Sequence, residues 1–125
     1  MITEGILKYI EYKANQLPIW EIVKSLVEIL GKRMTIFLSG RSDESILNSW
    51  RIGTEKPTKV EELRLRYGYW AVAIINAEHD SETAGAIFLG KNPVLGDKAP
   101  VFWLRKYKKK KDLKLVVMAA NEMSS

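Results

Sequence analysis

Residues 105–114 read Arg-Lys-Tyr-Lys-Lys-Lys-Lys-Asp-Leu-Lys, so Arg105, Lys106, Lys108, Lys109, Lys110, Lys111 and Lys114 place seven cations within ten positions against one acid, Asp112. Cations at this density attract phosphate, and rings such as Trp103 and Tyr107 are the side chains on which bases stack. On an extended strand Trp103, Arg105 and Tyr107 share one face and lead directly into the lysines. That pattern predicts a surface for DNA or RNA that grips the phosphate backbone with little sequence preference. The competing reading is that the lysines only keep a hairpin end solvated and Trp103 packs in the core.

A second, weaker candidate is Gly40, Arg41 and Ser42, between an apolar run and a short helix. A strand end, a glycine and a helix N-terminus with free N–H groups form an anion site, and Arg41 adds a fork of donors. The ordinary alternative is a turn with a serine cap.

Two other patterns fail on inspection. Gly85 to Lys91 fits the spacing of a phosphate loop, but Asn92 stands where magnesium needs a hydroxyl, and Pro93 opposes the helix that must come next. His79 and Asp80, flanked by Glu78 and Glu82, could serve a metal-dependent nuclease or hydrolase, as could Glu61 and Glu62. Sequence neighbours on a tight turn do not converge on one point, so an exposed polar turn is the simpler expectation.

Composition narrows the chemistry further. The chain of 125 residues has no cysteine and one histidine, which excludes disulfides, thiolate nucleophiles and multi-histidine metal centres. No cofactor is expected, and a binding protein fits better than an enzyme. The net charge of +5 is unevenly distributed. Residues 1–33 are nearly balanced, residues 34–82 carry more acids than bases, and residues 83–125 carry nine Lys or Arg against three acids. A local basic patch explains this better than general basicity. The unbroken apolar run Trp70–Ile75, which is as long as any here, is far too short for a membrane span. With no export signal visible, a cytoplasmic protein that does not engage membranes is expected.

The elements that must position these groups follow from periodicity. Thr3–Leu17 reads as an amphipathic helix, with Ile6, Leu7, Ile10, Ala14 and Leu17 on one face. Pro18 starts a second helix that runs to Leu30, and Gly31 stops it. Met34–Ser39 reads as a buried strand, and Ser42 or Asp43 caps a short helix through Asn48. Thr58 and Glu61 have capping-box spacing, which predicts a helix over Lys59–Tyr67 with Gly68 as its stop. Tyr69–Asn76, Ala84–Leu89, Val101–Tyr107 and Leu113–Ala119 read as strands, the last two framing the lysines as a hairpin.

The expected fold is therefore one α+β domain, a helical hairpin on a mostly antiparallel sheet of four or five strands. Its core candidates are Ile74, Phe88, Phe102, Leu104, Val116 and Val117. A second functional class stays open, a homodimeric accessory protein that uses the sheet edge or Trp20, which lies off the main apolar stripe of its helix.

Overall fold

The computed structural model describes residues 2–123 and is helical throughout. In chain order the helices are α1 (Glu4–Gln16), α2 (Ile19–Leu30), α3 (Lys32–Ser39), α4 (Ser45–Ile52), α5 (Lys59–Asn76), α6 (Ser81–Leu89), α7 (Pro100–Lys106) and α8 (Lys110–Met123), with a short 3₁₀ turn at Pro93–Leu95. Among the described residues there is no strand. The only β-type pairing there is an isolated bridge between Asn92 and Lys98. The expected α+β fold, its sheet and its lysine-tipped hairpin are thus replaced by a helical assembly.

The first two helices form where the sequence places them. The Thr3 hydroxyl accepts from the Ile6 N–H, and Leu17, ahead of Pro18, leaves the helical region. Gly31 ends α2 with φ 87°. The Thr58–Glu61 capping box is complete, with each side chain reaching the other residue's backbone N–H.

Beyond that box the chain departs from expectation, because α5 does not stop at Gly68. It continues through Tyr69–Asn76, and Gly68 lies in its interior, where a Cβ would sit 3.2 Å from Leu104 Cδ1 and 3.4 Å from Leu38 Cδ1. The missing side chain lets α3 and α7 approach α5 closely. This helix is the axis of the fold, packing against α1, α2, α3, α6, α7 and, most extensively, α8. Arg64, Leu65, Gly68, Tyr69, Ala71, Val72, Ile74 and Ile75 are buried along it. A helix covered on nearly every side needs apolar residues around most of its circumference, so its second half reads like a buried strand.

The other presumed strands fail for a related reason. Ala84–Leu89 belongs to α6, which starts where Asp80 accepts from the Thr83 N–H at 2.7 Å. Val101–Tyr107 lies mostly in α7, with Pro100 in the first turn. Met34–Ser39 is α3, burying Thr35, Ile36, Leu38 and Ser39. Leu113–Ala119 lies in α8, where Leu113, Val116, Val117 and Ala120 recur at helical spacing and are buried. Of the predicted core residues, Ile74, Phe88, Leu104, Val116 and Val117 are buried, whereas Phe102 is 59% exposed. Among the described residues no helix is long and apolar enough to cross a membrane.

Candidate nucleic-acid interface

The two regions picked out by sequence, residues 40–42 and the basic segment, meet in space. The link is a set of guanidinium groups on the C-terminal end of α3. Such an end carries carbonyls without helical partners and a partial negative charge, so cations are favoured there. Arg64, from α5, donates from Nη1 to the Ser39 carbonyl at 3.1 Å and from Nε to the Tyr107 carbonyl at 3.0 Å. Arg105, from α7, donates from Nη1 to the carbonyls of Phe37 at 2.7 Å and Arg41 at 2.9 Å, and from Nη2 to Ser42 Oγ at 3.3 Å. Its guanidinium also lies over the Phe37 ring, 4.5 Å from the centroid. Burial and the neighbouring Arg105 charge both lower the Arg64 pKa, and Glu61 acts against them.

Gly40 makes this junction possible. Its φ of 102° turns the chain out of α3, and a Cβ at this position would collide with Arg64 Nη1. Arg41 then faces three acids, with Nε 3.3 Å from Asp43 Oδ1 and Nη1 3.3 Å from Glu55 Oε2 and 3.6 Å from Glu61 Oε2. The hydrogen bond from Arg41 is the main reason the Asp43 carboxyl sits below its usual range. Gly40, Arg41 and Ser42 therefore lie at a helix C-terminus, where the Gly40 N–H, the Arg41 guanidinium and carbonyl and the Ser42 hydroxyl are engaged by protein.

The basic segment has a different character. Tyr107, Lys108 and Lys109 form the turn between α7 and α8, and Lys110 and Lys111 open α8, where the Lys109 carbonyl accepts from the N–H groups of Asp112 and Leu113. Lys106, Lys108–Lys111 and Lys114 are exposed. Among the described residues no carboxylate pairs with Lys108, Lys109, Lys110 or Lys111. Lysines at a helix N-terminus add positive charge to the positive end of the dipole, an arrangement that an external anion would relieve.

The rings do not form the expected row. Trp103 and Tyr107 are one helical turn apart, with centroids at 4.4 Å, and Trp103 Nε1 donates to the Asp112 carbonyl at 2.8 Å. Both rings are half-buried, and the Trp103 indole fastens α7 to α8. Arg105, expected between them on one face, points instead to α3. Lys114 lies over the Trp70 ring at 4.4 Å. Asp80, considered as a catalytic acid, serves as the cap of α6. Trp20 is half-buried against the core.

Sequence reading did not single out Arg64, which it placed only within the helix over Lys59–Tyr67. It also missed the outer face of α4. Ser45, Asn48 and Arg51 are exposed at three-residue spacing while Ile46, Leu47 and Trp50 are buried, and Arg51 Nη2 donates to Asn48 Oδ1 at 2.6 Å. That spacing was the available signal. Comparison of the chain with protein families, with curated proteins and with solved structures finds no match.

Proposed function

We propose that this protein binds nucleic acid, with Lys106, Lys108–Lys111 and Lys114 contacting phosphates beside the junction of α3 and α7. The observation that carries the reading is the unpaired lysine run at the positive end of α8. Local charge repulsion there opposes folding, and phosphate is the ligand that offsets it.

The order α3, a five-residue connection that begins at Gly40, then α4 favours a further assignment. Two short consecutive helices joined by a glycine-containing turn follow the order of a helix-turn-helix unit, whose turn is usually about three or four residues. In such units the second helix presents side chains to base edges. Asn and Arg are the side chains suited to bidentate contacts with adenine and guanine. In this reading the lysines supply affinity, and Ser45, Asn48 and Arg51 supply any preference for sequence.

The test is fluorescence anisotropy with duplex DNA, single-stranded DNA and RNA over a salt series. Replacing Lys108–Lys111 by Ala should weaken binding about equally on all sequences and make the logarithmic salt dependence on duplex DNA shallower by about 3 to 4 units. Arg51→Ala should leave that slope within about one unit and flatten discrimination among duplex sequences. Absence of binding to every probe at about 50 mM salt would sink the proposal.

A further inference from the structure

A second surface lies on the other side of Arg105. An open groove of about 800 Å³ runs between α3, the end of α6 and α7. Its floor is apolar, formed by Phe37, Leu89, Ala99 and Phe102. Phe102 is 59% exposed and Leu89 42% exposed, although Phe102 meets Phe37 edge-on at 5.0 Å. Lys91, Lys98, Arg105 and Lys106 surround this floor, with Asp97 as the only acid among the lining residues.

The loop that carries part of the rim is preformed. Asn92 is buried, its side-chain oxygen accepts from the Val94 N–H at 2.8 Å, and its carbonyl accepts from the N–H groups of Leu95 and Asp97. The Asn92 N–H in turn donates to the Lys98 carbonyl at 3.2 Å, which sets Lys91 and Lys98 beside the groove. A surface held in place before binding loses less entropy when it is covered.

We infer that this groove docks an acidic amphipathic segment of a partner protein, its apolar face on Phe102 and Leu89 and its carboxylates on the lysine rim. Three observations choose this occupant. A groove that leaves Phe102 more than half exposed is too open to enclose a small molecule, which its site normally buries almost completely. Three exposed lysines, Lys91, Lys98 and Lys106, against one acid call for a negatively charged ligand (Arg105 being engaged by α3), and an apolar floor calls for hydrophobic anchors, the combination presented by an amphipathic helix laid in a groove. A second copy of the chain fits poorly. The chain's net charge is +5, and the exposed apolar face of α1 at Ile6, Tyr9 and Tyr12 carries Lys8 and Lys13 beside Glu4 and Glu11.

The probe is a fluorescein-labelled helical peptide of about four turns, with Leu and Phe on one face and Glu elsewhere. It is titrated into the intact protein beside a scrambled peptide of the same composition. Saturable binding, about tenfold tighter for the amphipathic order than for the scramble, is expected. Phe102→Asp should weaken it about tenfold. The pair Lys91→Glu and Lys98→Glu should weaken it comparably and turn the preference toward a Lys-faced peptide. None of these three positions belongs to the proposed nucleic-acid surface. Phe102→Asp should leave DNA or RNA binding nearly unchanged, whereas the double charge reversal lowers the net charge by four and weakens it generally, so Phe102→Asp is the variant on which the two proposals fail separately. Equal affinity for the scramble, indifference to Phe102→Asp, or displacement of the peptide by duplex DNA in a manner set by Lys108–Lys111 would overturn the inference. Self-association abolished by Phe102→Asp would also overturn it, by naming a second copy as the occupant.

Discussion

The arginines around α3 (Arg105 a few residues before the lysine run, Arg64 far from it in sequence) and the lysines at the start of α8 put positive charge to opposite uses. Arg64 and Arg105 turn inward and donate to the carbonyls of Phe37, Ser39, Arg41 and Tyr107. Lys108–Lys111 turn outward, and no protein acid answers them among the described residues. The difference follows from the head groups. A guanidinium carries five donors in a fixed plane, so one side chain can join two backbone segments. An ammonium is a hydrated point charge on a flexible stem, stable in water and available to an anion. A cluster of cations in a sequence is thus two populations once folded, one that closes the structure and one that is available to a ligand.

The sharpest way to break this contrast is at Gly40. Gly40→Ala forces a side chain into the left-handed region and drives it against Arg64, so a loss of about 3 kcal/mol or more is expected from strain and broken charged hydrogen bonds together. Gly31 has a positive φ too, but a different backbone conformation. At φ 87° and ψ 164° it occupies a region open almost only to glycine, so although a Cβ there meets nothing within 4 Å, Gly31→Ala measures backbone strain alone. The matched left-handed control is Gly53 (φ 82°, ψ 11°, also with nothing within 4 Å), where Gly53→Ala should cost about 1–2 kcal/mol. Urea denaturation of Gly40→Ala and Gly53→Ala checks the difference, and equal losses would show that contact with Arg64 contributes nothing.

Next in size is Arg64 itself. Arg64→Met leaves the Ser39 and Tyr107 carbonyls without their donor, an expected loss of about 2–4 kcal/mol. Arg64→Lys should restore less than half of it, because a single ammonium does not reproduce the two-armed contact. Full rescue by lysine in thermal unfolding would mean that charge, not the planar fork, holds the junction.

The smallest effect sharpens the lysine side. Lys110→Glu with Lys111→Glu places acids at the positive end of α8, and stability should rise by about 0.5–1 kcal/mol while affinity for nucleic acid falls. A loss of stability would assign those lysines to the fold and erase the division between the two groups.

Much of the first half of the molecule is legible in the sequence because its signals are local. Pro18, Gly31, Thr3 and the Thr58–Glu61 pair act on backbone groups within four residues, and each operates as its chemistry requires. The second half misleads because runs of six to eight apolar residues satisfy a strand and a buried helix alike. Tyr69–Asn76 shows this best, since its β-favouring residues are simply those that fill a helix packed on several sides. Leu113, Val116, Val117 and Ala120 have the helical spacing in plain view, but a hairpin around the lysines competes with it as an expectation. Alternation along a strand would turn Phe102 inward to the core, whereas the helical twist of α7 turns it to solvent.

From the chain of residues alone come the concentration of positive charge in the last third, the absence of thiol chemistry and the punctuation of the first helices. These depend on composition and on contacts within one turn. Only the packed molecule distinguishes the cations that cap α3 from those that remain available. Arg64 and the Tyr107 carbonyl are 43 positions apart, and a hydrogen bond of that span exists only after α5 and α7 have packed together.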